Sequence, residues 1–330
     1  MSYQPPYTVT PDIVHLIAEI GEAVGRWTVS EDREQRLRLR RINRIRTIQG
    51  TLAIEGNTLS EAQITAILEG KPVIAPPREV QEVKNALAAY DRLPHWRPNR
   101  ESDLLEAHGL LMAGLIEESG RYRQGGAGVR SREDVIHVAP QAHRVPALMN
   151  DLLAWIAADD IHPLIAGSVF HYEFEFIHPF ADGNGRLGRL WQSLILYRWQ
   201  PWFADLPMES LVHARQAEYY QAIQDSTDRA DSAPFITFML REIREALTTP
   251  QVTPQVTPQV GRLLSVLDGD MDREALQAAL ELQDRKSFRE RYLKPALEAD
   301  LIEMTIPDKP SSRLQRYRLT DRGRLALQGS

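Results

Sequence analysis

His178-Pro179-Phe180-Ala181-Asp182-Gly183-Asn184-Gly185-Arg186-Leu187-Gly188-Arg189 reads as a sharp turn between two helices. Pro179 disfavours helical backbone at His178, so the preceding helix should end there. Gly183-Asn184-Gly185 can adopt positive φ and bend tightly. The next helix is expected to open at about Arg186, with Leu187, Leu190, Trp191 and Leu194 on its buried side. Successive amides at a glycine-rich turn before a helix form an anion-binding concavity. Arg186 and Arg189, three residues apart, can share one face of the first turn. Cations there oppose the helix dipole, an arrangement that makes sense if a polyanion sits between them. Asp182, the carboxylate of the turn, is placed to hold Mg²⁺ bridging phosphate oxygens. His178 supplies a group that takes a proton near neutral pH.

Outward from this turn the pattern is helical. Ile13, Ile17, Ile20 and Val24 form an amphipathic stripe over Pro11 to Arg26. Thr28 with Glu31, and Thr58 with Glu61, have capping-box spacing and predict two further helix starts. More helices are expected at 78–93, 101–117, 145–158, 163–177, 186–199, 210–226 and 232–247. Gly120 to Ala139 breaks the pattern: Gly125, Gly126 and Gly128 precede Val129, Val135, Ile136 and Val138, which reads as a β-hairpin. Its open strand edge must be covered or used.

The clearest boundary is Thr249-Pro250-Gln251-Val252, repeated at 253–256 and 257–260. Regular prolines remove backbone donors and favour an extended chain. At about 3.1 Å per residue, such a spacer reaches roughly 37 Å. Beyond it, helices fit 261–268, 272–281 and 284–299, then short strands at 301–304 and 314–319 flank a turn at Pro307/Pro310. Three helices and a two-stranded wing make a winged-helix pattern. Lys309, Arg313, Arg316 and Arg318 give the wing a basic side that could touch phosphate. With 13 basic and 12 acidic residues, however, this part has a net charge of only about +1.

The whole chain has 330 residues, 43% hydrophobic and 25% charged, with net charge −6. That is an ordinary globular balance, large enough for two domains. It argues against a basic coat for non-specific nucleic-acid binding. With no cysteine, disulfides, thiolate metal sites and cysteine nucleophiles are excluded. No apolar run reaches the roughly 20 residues of a membrane span, and acidic residues interrupt the N-terminal stretch where a signal peptide would be apolar. The expected location is the cytoplasm.

The segment 178–189 resembles the signature of the Fic family, His-x-Phe-x-(Asp/Glu)-Gly-Asn-Gly-Arg-x-x-Arg, at every specified position. The resemblance covers roughly residues 10–247. It implies a mainly α fold: a Fic-type helical bundle with a β-hairpin flap, to which the small winged-helix domain is added. The implied layout is an N-terminal helical region (1–100), a catalytic core (101–247), a linker (248–260) and the winged-helix-like part (261–330). The implied activity is protein adenylylation, the transfer of AMP from ATP to a Ser, Thr or Tyr hydroxyl of a protein, with ATP and Mg²⁺ required. Carried over by position, His178 is the general base and Asp182 holds Mg²⁺. Gly183, Asn184 and Gly185 cradle the phosphates, Arg186 and Arg189 bind the outer ones, and Phe180 anchors the loop. Tyr219 and Tyr220 are candidates for the adenine side, with a packed helix face as the other reading. Phosphotransferring toxins of the superfamily carry lysine where this chain has Gly185, so glycine favours adenylyl transfer. The hairpin near 124–139 resembles the flap that registers a protein substrate by strand addition, and a symmetric homodimer is the oligomer the resemblance suggests.

Thr51-Leu52-Ala53-Ile54-Glu55-Gly56-Asn57 resembles the family's inhibitory motif, (Ser/Thr)-x-x-x-Glu-(Gly/Asn). The resemblance implies that Glu55 pairs with Arg189 and keeps ATP in an unproductive pose. Three alternatives stand beside this reading: a Glu55-dependent enzyme that removes AMP, a DNA-binding regulator with a nucleotide-sensing site, and an inert scaffold.

Overall fold

A computed structural model describes residues 3–29, 33–126, 128–130, 135–158, 160–248, 258–282, 284–298, 301–306, 312, 314–320, 323, 324 and 327. The chain divides into two compact units, Met1–Thr249 and Pro250–Ser330. The first contains helices α1 (Pro11–Val29), α2 (Arg33–Ile54), α3 (Glu61–Leu68), α4 (Pro77–Arg92) and α5 (Glu101–Leu111). A hairpin of β1 (Gly128–Arg130) and β2 (Val135–Val138) follows. The unit ends with α6 (Val145–Ile156), α7 (Pro163–Ile177), α8 (Asn184–Trp199), α9 (Met208–Ala214), α10 (Gln216–Arg229) and α11 (Ala233–Thr248).

The centre of this unit is the α7–α8 pair. Val169, Phe170 and Phe174 of α7, and Leu187, Leu190, Trp191 and Leu194 of α8, are fully buried. Both helices are buried nearly all round, polar side chains such as Glu175, Arg189 and Gln192 included. Pro163 opens α7 at a position where its missing N–H costs nothing, and the His162 ring accepts the Leu164 N–H. The turn at 178–183 therefore joins the two most enclosed helices of the unit.

Several expected boundaries move for identifiable reasons. Thr28 does not cap a helix, because α1 runs on to Val29 and α2 begins at Arg33. The capping box before α3 is formed by Ser60 and Gln63 rather than by Thr58 and Glu61. Thr58 is engaged elsewhere: its N–H and hydroxyl both donate to Glu79 of α4. The helix expected over 210–226 is two helices, α9 and α10. The break is Arg215, whose guanidinium reaches across to Glu242 at 2.6 Å and Glu245 at 2.5 Å on α11. The hairpin forms as expected, antiparallel with Gly128 opposite Val138, though the register shifts between Val129 and Arg130. The Thr-Pro-Gln-Val repeat lies outside the described residues up to Thr257, and Pro258 opens the next helix.

The second unit comprises α12 (Pro258–Val266), β3 (Met271–Asp272), α13 (Arg273–Ala279), a continuous third helix made of α14 (Arg285–Phe288), a π turn at Arg289–Leu293 and α15 (Lys294–Glu298), then β4 (Ile302–Met304) and β5 (Arg316–Leu319). The sheet order is β3-β5-β4, all antiparallel, which completes a winged-helix arrangement with one short strand more than expected. The Pro307/Pro310 turn lies outside the described residues. Phe288, Tyr292, Leu293 and Ala296 face the core, against Leu263, Leu276 and Tyr317. Three exposed cations of the third helix have a carboxylate within 4 Å: Arg285 faces Glu274, and Arg289 and Lys294 share Glu290. Among the described residues no helix is long and apolar enough to cross a membrane.

Helix α2 reaches the central pair by packing closely on α9. The approach is closest at Gly50, where an added Cβ would lie 2.6 Å from backbone atoms of Glu209 and Ser210. Gly50→Val should therefore push α2 off its seat. The expected cost is about 1–3 kcal/mol, read as a lowered midpoint in denaturant unfolding with an unchanged slope.

Candidate active site

Helix α7 stops at Ile177, and His178 takes a left-handed conformation (φ 49°, ψ 61°) with its N–H still bonded to Phe174 O at 2.9 Å. Non-glycine residues rarely adopt this backbone, and it persists only where surrounding contacts enforce it. The enforcing residue is Arg123, which is 3% exposed. Its Nε donates to His178 O at 2.7 Å, Nη2 to Ile177 O at 3.3 Å and Pro140 O at 2.5 Å, and Nη1 to Gly125 O at 2.7 Å. The Arg123 N–H also donates to Pro179 O. One side chain thus ties the base of the hairpin to the turn. Nothing in the local sequence around Arg123 signals this role.

The rest of the turn is held from below. Phe180 is fully buried, and its ring stacks on His108 with centroids 3.7 Å apart. His108 Nδ1 accepts the Gly120 N–H at 2.8 Å, so Nε2 carries the proton and donates to Asp182 O at 2.9 Å. Burial holds the His108 ring neutral, with its pKa pulled down to about 4. The Asn184 side chain bonds both N–H and C=O of Phe180 at 2.9 Å, so it fastens the loop to itself. Gly183 has φ +83°, and a Cβ there would lie 2.6 Å from Met112 Sδ. The first amides of α8, which opens at Asn184 rather than Arg186, are left facing outward as at any helix start.

Two arginines frame this helix start. Arg186 donates to Asp182 Oδ1 at 3.0 Å and lies 3.6 Å from Glu82. Its Nε and Nη1 are buried without a hydrogen-bond partner among the described residues. Asp182 is 41% exposed and has Arg78 3.5 Å from its second oxygen. Arg189 is 3% exposed. Its Nη2 donates to Glu55 Oε1 at 2.7 Å and Thr51 O at 3.1 Å, and its Nε to Thr51 Oγ1 at 2.9 Å. Burial pulls the guanidinium down, but Glu55, Tyr219 and Glu175 outweigh it and raise Arg189 above the ordinary arginine value. The Glu55 carboxylate lies directly over the turn: a Cβ on Gly185 would meet its Oε1 at 2.5 Å. Beside it, Asn57 donates to Glu82 at 2.9 Å, so the end of α2 also reaches the partner of Arg186.

His178, Asp182, Gly183, Asn184, Gly185, Arg186, Arg189 and Glu55 therefore gather in one place. Tyr219 and Tyr220 lie next to it, in a cluster with Ile54 and Phe235. Tyr219 is 2% exposed with its hydroxyl 3.1 Å from His171 Nε2, and Tyr220 packs edge-on against it. Side chains of the hairpin strands lie outside the described residues. The sequence reading missed Arg123, His108, Glu82 and Glu175, which act by contact with the turn and carry no motif of their own.

The buried neutral His108 gives the turn an acid limit. A depressed folded pKa means that stability is fully present above about 6.5, the unfolded value, and declines as pH falls toward about 4. Thermal unfolding across this range should show that decline. His108→Gln, which can still accept and donate, should flatten its slope.

Family comparisons agree with this geometry. Residues 98–196 match the model described as Fic/DOC family, and residues 258–320 match "Filamentation induced by cAMP protein Fic-like, C-terminal domain". The protein adenylyltransferase Fic of Nematostella vectensis is 30% identical over 201 residues, covering 57% of this chain and 44% of that protein. The protein adenylyltransferase fic-1 of Caenorhabditis elegans is 32% identical over 203 residues, covering 58% and 38%. The chain thus matches less than half the length of these curated relatives. A solved Fic-1 fragment from C. elegans aligns with TM-score 0.61 at 25% identity, over 71% of this chain and 70% of that one. A crystal structure of a Fic family protein from Desulfovibrio desulfuricans G20 aligns with TM-score 0.73 at 53% identity, over 97% of this chain and 99% of that one. With the turn, its helices and the second unit all matched along nearly the full length of that structure, this chain belongs to the Fic family.

Proposed function

We propose that this chain is a protein adenylyltransferase held at rest by Glu55. The observation that carries the reading is the Glu55 carboxylate, hydrogen-bonded to Arg189 at 2.7 Å and seated over Gly185 at the start of α8. A negative group already occupies the place where the turn and its two arginines would take a phosphate. The names of the curated relatives support the same activity.

In this reading ATP is the AMP donor. Its phosphates lie on the outward amides of Gly185 and its neighbours, and Arg186 turns to them Nε and Nη1, which make no hydrogen bond among the described residues. Among the described residues no group of three or more His, Asp or Glu converges as a ready metal site. A single half-exposed carboxylate beside a phosphate site does fit Mg²⁺, which commonly takes one carboxylate with substrate oxygens and water. Asp182 would hold it, and when bound it neutralises charge on the phosphates. His178 accepts the proton of a target Ser, Thr or Tyr hydroxyl as the hydroxyl oxygen bonds to the α-phosphorus. The bond from that phosphorus to the bridging oxygen breaks, and its electron pair leaves with pyrophosphate. The rigid turn supplies positioning and preorganised charge, the main sources of acceleration for phosphate transfer. An extended target segment adds to the hairpin at β1–β2, whose base Arg123 links to His178.

The brake works by competition. While Glu55 holds Arg189, the outermost phosphate lacks its guanidinium. A hundredfold restraint needs only about 2.7 kcal/mol of preference for the closed state.

Purified protein, Glu55→Gly and Glu55→Gly/His178→Ala should be compared for transfer of labelled AMP from ATP with Mg²⁺. Glu55→Gly should label itself or added target on the order of a hundredfold faster than the unsubstituted chain, and the double variant should fall to background. Equal labelling in the first two would reject the brake, and persistent labelling in the third would reject His178 as the base. Release of AMP from a pre-labelled target that depends on Glu55 would assign the reverse reaction instead.

A further inference from the structure

Glu175 sits on α7 one turn before His178 and is 4% exposed. Its Oε2 lies 3.8 Å from His178 Nδ1, and its Oε1 is buried without a hydrogen-bond partner among the described residues. A carboxyl in that condition costs stability, and packing does not require it. The neighbouring helix makes room for it: at Gly188 of α8 an added Cβ would lie 3.2 Å from Glu175 Oε1 and 3.0 Å from His171 Cδ2. Beyond its share in the negative field around Arg189, none of the proposed reaction steps uses it.

We propose that Glu175 is the positioning residue for His178: its carboxylate faces Nδ1, sets the ring's orientation and stabilises the imidazolium formed during transfer. The proposal rests on the reading of His178 as the base. With a proton kept on Nδ1 toward the carboxylate, Nε2 is the basic nitrogen left for the acceptor hydroxyl. When that hydroxyl's proton moves to Nε2, the ring becomes a cation beside an anion, and the proton later leaves to solvent. A separation of 3.8 Å is an ion-pair distance and longer than a hydrogen bond. Such catalytic contacts commonly tighten only when substrate is bound.

The surroundings of Glu175 connect this pair to the brake. Facing it are Arg189 of α8, Glu55 at the end of α2, Tyr219 and Tyr220 of α10, and His171 and His178 of its own helix. Burial raises the Glu175 carboxyl to about 7; Arg189 opposes the rise and Glu55 adds to it. Burial and the Glu55 charge both bias the group toward its neutral form. Withdrawing the negative Glu55 favours the ionised form, so release of the brake also readies the carboxylate behind the base.

The test uses the full chain with Glu55→Gly, alone and combined with Glu175→Gln. The His178 ring is followed by NMR with labelled histidine, its signal assigned by its loss in His178→Ala. The expected result is a His178 pKa about one unit lower once the carboxylate is gone. In the transfer assay, Glu175→Gln should lower kcat about tenfold or more, leave KM for ATP unchanged and move the acid limb of the pH profile downward. An unmoved His178 titration, or unchanged kcat with an unchanged profile, overturns the proposal. The titration needs no turnover, so it decides the role of Glu175 even if Glu55→Gly transfers no AMP, a result that would sink the adenylyltransferase reading itself. Should Glu175→Gln not fold, Glu175→Asp keeps the charge at shorter reach, and smaller shifts in the same directions are expected.

Discussion

A guanidinium enclosed by protein must be paired, and Arg189 is the group on which this structure turns. At 3% exposure it cannot rely on water. Thr51 and Glu55, at the end of α2, provide its hydrogen bonds, while Glu175 and Tyr219 add to the negative field around it. A phosphate could replace Glu55 at the same place because it offers the same charge and the same acceptor geometry. In the proposed reading, the cation that a nucleotide would need is therefore the cation that the protein satisfies internally. The proposed brake requires no separate device beyond a helix that ends at the right spot.

Precision at the turn comes from side chains that never face the reacting groups. Arg123 spends its guanidinium on four backbone carbonyls and so holds His178 in a backbone conformation that histidine does not prefer. His108 stays neutral, stacked under Phe180, with its two ring nitrogens assigned by Gly120 and Asp182. Asn184 closes the loop on the Phe180 backbone. Each of these fixes the turn before any ligand arrives, which is what electrostatic preorganisation demands of a site. The strain at His178 is offset by its neighbours rather than relieved.

Much of the fold was legible because its signals are local. Apolar spacing marked the helices around the turn, proline marked the end of α7, and glycines beside β-branched residues marked the hairpin. The expectations that failed did so where a distant contact outweighed a local preference. Thr58 has capping spacing, yet Glu79 takes both of its donors, and Ser60 caps instead. The helix through 210–226 is locally sound, yet two glutamates of α11 draw Arg215 out of it. In the second unit the basic wing was visible, but the pairing of Arg285 with Glu274 on the preceding helix became apparent only once both were placed.

By itself the sequence determined the turn, the residues it carries and the glutamate motif ahead of it, because these are fixed spacings along one chain. The pairing of Glu55 with Arg189 across 134 residues was implied by resemblance alone, and only the tertiary structure decided that Arg123 clamps His178 across 55 and that Glu175 is buried beside the His178 ring. Partners so far apart in sequence leave no shared local pattern, since what joins them is burial: in a dry interior each charge and donor must find its complement wherever the packing brings one near.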